Sequence, residues 1–574
     1  MGSRWIMRPC AEDVVRVLQQ ELGVPQVIAR LLSARGVTTP DEARRFLAPR
    51  LEDLHDPYRM AGMREAVERI ARAIAQRELI VIYGDYDVDG VTSLVLLKKT
   101  LERLGARVAF HVPERLREGY GMHVEAIEAL AASGGRLLIS VDCGIRAHEV
   151  VERARALGME TIVTDHHLPE AALPRAVAVL NPKRPDCSYP EKNLAGVGVA
   201  LKLAQALLLR EGRTEGLASL LPLAALGTIA DLAPLTGENR VIARLGLERL
   251  WAPEQVGLRA LAEVAGLAPD RPVTGEDVAF RLAPRVNAAG RLGTARPAIE
   301  LLQTEDREIA RQLAVQLNEQ NARRQREEQA MLAEIEAMLA EDPTLREAKV
   351  LVLAREGWHR GVIGLVASKV VERFARPAII LALEGEWAHG SGRSIPAFHL
   401  LRGLEACADL FERYGGHAHA AGLLIRRDRL DDFRRRITAE ADRVLTPDDL
   451  VPTLVLDAQL AISAVTFDLW QHLQRLEPFG PGNPRPLFLF ADVRVEGEPR
   501  ILKERHLKLR IRQAGRSLDA FWWNGASSFA SRVAGARLRL AASIGESFSN
   551  GLLHIHLVIK DLSETPLGGG DEMA

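Results

Sequence analysis

The sequence predicts an α/β protein of several domains: a parallel-sheet domain, a long connecting helix, a second α/β domain and a small C-terminal β-barrel. Three observations support this fold class. Apolar strands alternate with helices from residue 79 to 164, no Gly or Pro interrupts residues 305–341, and short alternating strands recur between 453 and 563. The length of 574 residues allows three or four domains.

The composition is that of an ordinary soluble protein, with 47% hydrophobic and 26% charged residues. No apolar run has the length of a membrane span, and the first residues lack the apolar core of a signal peptide. The four cysteines lie far apart without a C-x-x-C pair, which argues against a disulfide framework or a zinc site. We therefore expect a cytoplasmic protein with no membrane partner.

The first 50 residues are expected to form a small helical segment, and residues 51–303 a larger domain. The predicted strands of that domain are 79–83, 107–112, 137–141 and 160–164, and the predicted helices are 92–104, 121–133 and 147–157. Thr92 or Ser93 is expected to cap the first of these helices. Continuous apolar strands that alternate with helices indicate a parallel sheet covered on both faces.

Acidic residues and histidines follow three of these strands. They are Asp85, Asp87 and Asp89 after the first strand, Asp142 after another, and Asp165, His166 and His167 after the last. In an open parallel sheet, ligands bind at the carboxyl ends of the strands. Carboxylates this close together repel one another unless cations lie between them. The pattern predicts a metal cluster at this edge.

Two alternatives exist for the acidic motif. An EF-hand loop requires Glu at its twelfth position, but that position is Leu96, and a strand precedes the loop. A solvated acidic turn remains possible for the motif taken alone. Asp231, after the apolar run 217–230, is by itself a typical cap or turn residue.

The motifs around these residues resemble the DHH phosphoesterase family, and within it the bacterial exonucleases that degrade single-stranded DNA from the 5′ end. The matching segments are GDYDVDG (84–90), SVDCG (140–144), TDHH (164–167), GTIADLAPL (227–235), PRVNAAGRL (284–292), GSGRS (390–394) and YGGHAHAAG (414–422). Cys143 departs from the pattern, because many relatives have Asn there.

The resemblance implies two divalent cations, Mn²⁺ or Mg²⁺. The implied ligands are Asp87, Asp89, Asp142, His166 and Asp231, with Asp85 as a further ligand or a close neighbour. His167 would contact the substrate or a ligand, and Asp165 would orient the histidines. Two cations that share a carboxylate, for which Asp142 is the candidate, can activate a water for attack on phosphorus. Carboxylate and imidazole ligands without thiolate favour manganese or magnesium.

The segment LAGVGVALKL (194–203) contains half of a dinucleotide-binding fingerprint. It follows no clear strand and lacks the final glycine, so nucleotide cofactor binding is not expected. A helix N-terminus packed near the metals is the preferred interpretation.

Residues 304–345 are predicted to form a connecting helix whose centre is polar on all sides, as in a helix that crosses solvent between two domains. A second domain at 346–449, with strands at 350–354 and 378–383, is identified by the resemblance as the DHH-associated domain DHHA1. The GSGRS segment is expected to let main-chain N–H groups approach a terminal 5′ phosphate. The implied substrate-binding residues are Arg285, Asn287, Arg291, His359, Ser391, Arg393 and His417.

Residues 450–564 are predicted to form the β-barrel, which the resemblance identifies as an OB fold. The net charge of −1 means that nucleic acid must be held by local basic patches, such as Lys503, Arg505, Lys508 and Arg510. Phe521, Trp522 and Trp523 are either base-stacking residues or barrel core. Residues 565–574 are expected to be a disordered tail.

The resemblance implies a metal-dependent 5′-to-3′ exonuclease that degrades single-stranded DNA to mononucleotides in DNA repair and recombination. The implied partners are single-stranded DNA with a 5′ end, single-strand-binding protein and a RecQ-type helicase, and the implied state is a monomer. Two alternatives are a phosphodiesterase for short oligoribonucleotides or cyclic dinucleotides, and an inactive scaffold. The barrel argues against the first, and the complete set of acids and histidines argues against the second.

Overall fold

The computed structural model describes residues 3–115, 117–525, 535–549 and 552–564. The chain forms two compact units, one of residues 51–450 and one that combines residues 1–50 with 451–574. The predicted disordered tail at 565–574 lies outside the described residues.

Residues 3–50 form one strand and three helices. Their bounds are β1 (Arg4–Met7), α1 (Glu12–Leu22), α2 (Gln26–Ser33) and α3 (Pro40–Leu47). Helix α3 begins with a capping box, in which Thr39 and Glu42 satisfy each other's main-chain N–H groups.

The sheet of the first domain contains five parallel strands in the order β3–β2–β4–β5–β6. The strands are β2 (Leu79–Tyr83), β3 (Arg107–His111), β4 (Gly135–Val141), β5 (Glu160–Thr164) and β6 (Ala178–Leu180). The four predicted strands and their parallel arrangement are confirmed. The short edge strand β6 is not predicted from the sequence.

Helices cover both faces of this sheet and extend the domain. They are α4 (Met63–Ala75), α5 (Val88–Arg103), α6 (Val124–Ala132), α7 (His148–Ala156), α8 (Gly196–Arg210), α9 (Leu221–Ala230), α10 (Gly237–Glu248), α11 (Val256–Val264), α12 (Gly275–Asp277), α13 (Ala283–Leu292) and α14 (Arg296–Gln303). The prediction that Thr92 or Ser93 caps α5 is wrong. The Asp87 carboxylate caps it by accepting a hydrogen bond from the Gly90 N–H at 3.1 Å, and Thr92 is buried inside the helix.

The predicted connecting helix is confirmed as α15 (Arg307–Glu341), followed by the short α16 (Pro343–Glu347). Its centre is not solvated on all sides, contrary to the prediction. Asn321 and Glu328 are both buried. The Glu328 carboxylate pairs with Arg324 at 2.7 Å and with Lys369 of the second domain. The polar centre of the helix therefore makes specific ionic contacts.

The second domain has a five-stranded mixed sheet in the order β10–β11–β9–β8–β7. Its elements are β7 (Leu351–Glu356), α17 (Ile363–Phe374), β8 (Ala378–Glu384), β9 (Trp387–Arg393), α18 (Leu400–Glu405), β10 (Phe411–Gly416), β11 (Ala420–Arg426) and α19 (Leu430–Val444).

The GSGRS segment lies on the central strand β9 and not in a loop. Strand β9 pairs with β8 on one side and with β11 on the other, so its main-chain groups are committed to the sheet. The expectation that these N–H groups bind an anion is therefore wrong. An added Cβ at Gly390 would lie 2.7 Å from Leu423, which explains the glycine on the packed face of the strand. Ser391 and Arg393 point to the other face.

The predicted C-terminal barrel is confirmed. Its unit contains β12 (Thr453–Leu456), β13 (Ala458–Gln459), α20 (Phe467–Gln474), β14 (Phe488–Leu502), β15 (His506–Gln513), β16 (Arg516–Trp522), β17 (Arg537–Ser549) and β18 (Leu552–Glu564). Pairing of β14 with β17 closes a ring of five strands, β14–β15–β16–β18–β17. Leu18, Ile28 and Phe46 of the N-terminal helices share one apolar core with Phe490 of the barrel.

None of the helices in the described part of the chain is both long and apolar enough to cross a lipid bilayer. All four cysteines are free thiols, in agreement with the sequence analysis.

Candidate metal centre and adjoining arginine cavity

The predicted acids and histidines converge at the carboxyl edge of the first sheet. Strands β2, β4 and β5 are neighbours, so the residues that follow them meet, and Asp231 joins them from the end of α9. Three groups have ligand atoms within 4.8 Å of one another: Asp85 with Asp87 and Asp142, Asp89 with His166 and Asp231, and Asp142 with His166 and His167.

The His166 imidazole lies at the centre of this cluster. Its Nε2 is 3.1 Å from Oδ1 of Asp142 and 3.8 Å from Oδ2 of Asp89, and its Nδ1 is 3.7 Å from Oδ2 of Asp231. Three buried atoms of the cluster have no hydrogen-bond partner among the described residues: Nε2 of His166, Oδ1 of Asp142 and Oδ1 of Asp85. The 3.1 Å contact between the first two does not have hydrogen-bond geometry. Unsatisfied buried atoms are costly, so their convergence fits a site for metal ions.

Burial and mutual repulsion make these carboxylates difficult to ionise. Burial, followed by the charge of Asp87, raises the pKa of Asp85 to about 8 and that of Asp231 to about 7. Burial and the charge of Asp231 raise the pKa of Asp89 to about 7. Burial also raises the pKa of Asp142 well above its usual value. The cluster needs nearby positive charge to be fully ionised at neutral pH, which divalent cations supply.

Asp165 holds the two histidines in place. Its Oδ1 accepts hydrogen bonds from the main-chain N–H groups of His166 at 2.7 Å and His167 at 3.1 Å, and its Oδ2 accepts one from Ile145 at 2.9 Å. Nδ1 of the His167 ring is also 2.7 Å from Oδ1. Burial opposes ionisation of Asp165, but the contact with His167 outweighs it and lowers the pKa of this carboxyl. Asp165 is therefore an ionised partner that fixes the main chain of both histidines and the ring of His167.

Asp89 is fixed by the N-terminus of α8, as the interpretation of LAGVGVALKL predicts. Its Oδ2 accepts the Gly196 N–H at 2.6 Å, and its Oδ1 accepts the Val197 N–H at 2.7 Å. A Cβ at Gly196 would lie 2.7 Å from Cβ of Asp142, and one at Gly227 would lie 2.3 Å from Oγ1 of Thr92. The two glycines allow α8 and α9 to pack directly against the acids.

A cavity of about 470 Å³ lies between the first and second domains and is lined by basic residues. The polar side chains that line it are Arg115, Arg291, Arg360, His389, Ser391, Arg393, Arg413 and Tyr414. Nη1 of Arg393 donates to Oγ of Ser391 at 3.2 Å. Alternation along β9 places His389, Ser391 and Arg393 on the same face.

Arg291 connects the two domains inside this cavity. Its Nη1 donates to the carbonyl of Gly361 at 3.2 Å. Burial, followed by the neighbouring charge of Arg115, lowers the pKa of Arg291 to about 10. In the part of the chain that the structure describes, neither Arg291 nor Arg393 has a carboxylate within ion-pair distance. Such a cluster of partly buried guanidinium groups is suited to an anion with several oxygens.

The other predicted substrate-binding residues are only partly brought to this region. Oδ1 of Asn287 accepts the N–H of Val88 at 3.3 Å, beside the acidic motif. Arg285 instead donates to Oδ1 of Asn318 at 3.0 Å. His359 accepts the N–H of Gly361 at 3.0 Å, and His417 lies in the β10–β11 turn. Arg285, His359 and His417 do not line the cavity.

Arg115 and Tyr120 are additional site residues that the sequence analysis misses. The guanidinium carbon of Arg115 lies 5.2 Å from the ring centroid of Tyr86, between Asp85 and Asp87 in sequence. The Tyr120 hydroxyl is 3.4 Å from Nδ1 of His167. Both residues follow β3, so the rule that places ligands at strand ends could have identified the segment.

Comparison with known proteins identifies the family. Three family models match the chain: the DHH family N-terminal domain at 79–228, the DHHA1 domain at 347–442 and the RecJ OB domain at 456–561. The single-stranded-DNA-specific exonuclease RecJ of Bacillus subtilis is 40% identical over 97% of this chain and 70% of its own length. The chain belongs to the RecJ family.

Other RecJ proteins extend this similarity. Escherichia coli RecJ is 37% identical over 86% of this chain and 87% of its own length. The crystal structure of Thermus thermophilus RecJ with Mn²⁺ matches with a TM-score of 0.84 and 34% identity, over 99% of this chain and 80% of that chain. A second T. thermophilus RecJ structure contains Mg²⁺ and matches with a TM-score of 0.78. The predicted multidomain fold is confirmed, and these are the two ions predicted for the acidic cluster.

Proposed function

We propose that this RecJ family member is a metal-dependent exonuclease that degrades single-stranded DNA from the 5′ end to mononucleotides, in DNA repair and recombination. The observation that carries the proposal is the adjacency of the acidic cluster and the arginine cavity. Asp85 and Asp87 flank Tyr86, and the guanidinium of Arg115, which lines the cavity, lies over the Tyr86 ring. A terminal phosphate held by the arginines would place the next phosphodiester beside the acids.

Two divalent cations, Mn²⁺ or Mg²⁺, would be held by Asp87, Asp89, Asp142, His166 and Asp231, with Asp85 as a further ligand or close neighbour. Bound cations of this kind lower the pKa of a bound water and neutralise charge on a phosphoryl group. The remaining residues position the site. Asp165 fixes both histidines, the first turn of α8 fixes Asp89, and His167 with Tyr120 faces the substrate side of the cluster.

The arginine cavity explains the requirement for an end. We assign the 5′ phosphate to Ser391 and Arg393 on β9, with Arg291 and Arg115 completing the charge. A terminal phosphate carries more negative charge than an internal phosphodiester, so several guanidinium groups favour it. Cleavage would then start at the 5′ terminus and release one nucleotide at a time.

We also propose that the protein works as a monomer in the cytoplasm, with single-strand-binding protein and a RecQ-type helicase as partners. Family resemblance supports these assignments. Light scattering of the purified chain would test the monomer, and a pull-down with the two purified partners would test the contacts.

The function is tested by incubating a 5′-phosphorylated single strand and the same strand as a blunt duplex with the protein and Mn²⁺. A 5′ label should appear first as a mononucleotide, and the duplex should persist. Asp142→Asn is the inactive control, because it removes the carboxylate that would be shared by the two cations without changing the size of the side chain. Release from the 3′ end would contradict the polarity. Equal cleavage of dinucleotides and long strands would favour an oligonucleotide phosphodiesterase, and an inert wild-type protein would favour a scaffold.

A further inference from the structure

The basic side chains of the arginine cavity form two groups at opposite ends of strand β9. The first group consists of Arg115, Arg291 and Arg393, and the second of Arg360, His389 and Arg413. Four positions of β9 separate Arg393 from His389, which is about 13 Å in an extended strand. The positive charge of the cavity therefore extends well beyond the size of one phosphate group.

The first group lies next to the acidic cluster, since Arg115 contacts the ring of Tyr86. In the described part of the chain, none of its three guanidinium groups has a carboxylate within ion-pair distance. A terminal monophosphate carries about 1.5 to 2 negative charges at pH 7. Three unpaired guanidinium groups are sufficient for that charge, so recognition of a 5′ monophosphate leaves the second group without a role.

The second group contains one guanidinium whose charge is not compensated. Arg360 and His389 share the carboxylate of Glu384, at 3.5 and 3.7 Å. Burial, followed by the charge of Arg360, lowers the pKa of His389, so its imidazole is neutral at pH 7. Arg413, by contrast, has no acidic partner at ion-pair distance among the residues that the structure describes. This end of the cavity can therefore accept further negative charge.

Glycines leave space on the sheet between the two groups. Ser391 on β9 lies opposite Gly422 on β11, which in turn lies opposite Gly415 on β10. A Cβ at Gly415 would meet no described atom within 4 Å, and one at Gly422 would meet only a main-chain carbonyl at 3.9 Å. The surface beside Ser391 is therefore open towards β10, the strand that carries Arg413.

The first turn of α17 lies against Ser391 and Arg393. A Cβ at Gly364 would be 3.0 Å from Oγ of Ser391 and 3.3 Å from Nη2 of Arg393. This helix of 12 residues has no side-chain cap at its N-terminus, and the N-terminal end of a helix favours negative charge. The helix therefore adds to the positive field of the arginines in the middle of the cavity.

We propose that the arginine cavity accepts a 5′ end that carries two or three phosphates. The phosphate attached to the sugar would lie at Ser391 and Arg393, and the outer phosphates would extend over the glycines to Arg413. This inference deepens the proposed exonuclease function and rests on its assignment of the 5′ end to the cavity.

The cleaved bond would be the same as for a 5′ monophosphate. Water adds its oxygen to the phosphorus that follows the first nucleotide, and the 3′ oxygen of that nucleotide leaves and takes up a proton. No bond within the terminal polyphosphate breaks. The first product is therefore a nucleoside 5′-diphosphate or 5′-triphosphate, and the remaining strand begins with a monophosphate.

Binding is measured on Asp142→Asn protein without divalent metal, so that cleavage does not interfere. The probes are one oligothymidylate with a 5′-hydroxyl, a 5′-monophosphate or a 5′-triphosphate. The 5′-triphosphate strand should bind about 10-fold more tightly than the 5′-monophosphate strand, the effect of one hydrogen bond to a charged group. Arg413→Gln should remove this gain and change binding of the 5′-monophosphate strand much less, whereas Arg413→Lys should keep part of the gain.

Arg402→Gln is the matched control, because Arg402 is an exposed arginine of the same domain that does not line the cavity. It should leave all three affinities unchanged. Equal binding of the 5′-monophosphate and 5′-triphosphate strands by the parent protein would overturn the inference. Equal weakening of both strands by Arg413→Gln would also overturn it.

Competition with ATP tests whether the polyphosphate must belong to a strand. ATP carries the same three phosphates on a single nucleotide, and it should displace the 5′-triphosphate strand only far above the Kd of that strand. Displacement at concentrations close to this Kd would assign the cavity to a free nucleotide and would contradict the inference.

The first product released by the active protein with Mn²⁺ shows where the outer phosphates lie. A 5′-triphosphate strand should release a nucleoside triphosphate first. Release of phosphate or pyrophosphate before any nucleotide would place the outer phosphates at the acidic cluster and refute the inference. If no strand were cleaved, the exonuclease proposal would fail, but the metal-free preference for the 5′-triphosphate and its dependence on Arg413 would remain.

Discussion

The main-chain N–H of Gly196 donates to Oδ2 of Asp89 at 2.6 Å, across 107 positions of sequence. The first turn of α8 thereby orients a carboxylate on α5, and the positive end of the helix favours the ionised form. The geometry of the acidic cluster therefore depends on the packing of α5 against α8, and not only on the residues that follow the strands.

Gly196→Ala should weaken metal binding. The new Cβ would lie 2.7 Å from both Cβ and Oδ1 of Asp142, so the carboxylate or the helix must shift. Changes in groups that orient metal ligands cost about 10- to 100-fold in metal affinity. Calorimetric titration with Mn²⁺ measures this loss. Gly216→Ala is the control, because its Cβ meets only Leu208 at 3.6 Å, and unchanged Mn²⁺ affinity in Gly196→Ala would contradict the prediction.

The metal-free protein should lose stability as pH rises. The pKa values of Asp85, Asp89 and Asp231 are raised to about 8, 7 and 7, so between about pH 4 and 8 the folded state binds more protons than the unfolded state. Their stabilising contribution is complete below the unfolded pKa and disappears as pH rises through the folded values. The melting temperature should therefore fall from about pH 6 to about pH 8.5, and Mn²⁺ should raise it most at the higher pH.

Asp231→Asn supplies the control for this pH dependence, since it removes one of the carboxyls whose pKa is raised. Its metal-free melting temperature should fall less steeply with pH than that of the parent protein. A melting temperature that rises over the same interval in the metal-free parent would refute the assignment of these carboxyls as protonated groups.

Arg393→Gln should reduce the preference for a 5′ phosphate. Arg393 lies beside Ser391 in the arginine cavity, and a hydrogen bond to a charged group contributes about 1.5–3 kcal/mol. We expect kcat/KM to fall about 10- to 100-fold on a 5′-phosphorylated strand and much less on a 5′-hydroxyl strand. Arg285→Gln, whose guanidinium binds Asn318 outside the cavity, should change neither value. Equal losses on both strands would argue against phosphate recognition by Arg393.

Lys202→Met should destabilise the larger unit. Lys202 and Glu238 form a fully buried ion pair at 2.8 Å, and Tyr189 donates to the same carboxylate at 2.6 Å. Removing one partner of a buried pair typically costs about 3–5 kcal/mol of unfolding free energy. Denaturant titration measures the loss. Lys202→Met combined with Glu238→Gln should recover part of it, and a single variant as stable as the parent would show that the pair is not needed.

The position of the acids at the sheet edge could be predicted from the sequence, because the apolar pattern of a strand and the residue at which it stops are visible in a short segment of sequence. The apolar runs before Asp85, Asp142 and Asp165 define where each strand stops, and a parallel arrangement brings those ends together. Asp231 required the resemblance, since its position at the end of a buried helix carries no local signal. The end of α15 at Glu341 also has a local cause, because Asp342, the residue before Pro343, leaves the helical region.

The remaining site residues depend on tertiary contacts that short motifs do not contain. GSGRS is expected to offer main-chain N–H groups to an anion, yet it lies on a central strand, where Gly390 and Gly392 make room for Leu423 and Leu400. Arg285 and Arg291 lie on the same helix, α13, and in the same motif. Because they are six positions apart, they project from different sides of the helix, so Arg285 contacts Asn318 and Arg291 contacts Gly361. Arg115 and Tyr120 lie between β3 and α6, outside any helix or strand, and they reach the site only through tertiary contacts with Tyr86 and His167. Proximity in a motif therefore does not determine which guanidinium enters the cavity.

The shared core of residues 1–50 and 451–574 has a consequence for biosynthesis. About 400 residues separate α1–α3 from the barrel, so a ribosome adding about 5 to 20 residues per second delays their meeting by roughly 20 to 80 s. During that delay Leu18, Ile28 and Leu31 have no barrel strands to cover them, while the intervening unit can already close its own interior. The apolar faces of the nascent helices therefore stay uncovered by their native partners until the last strands have been translated.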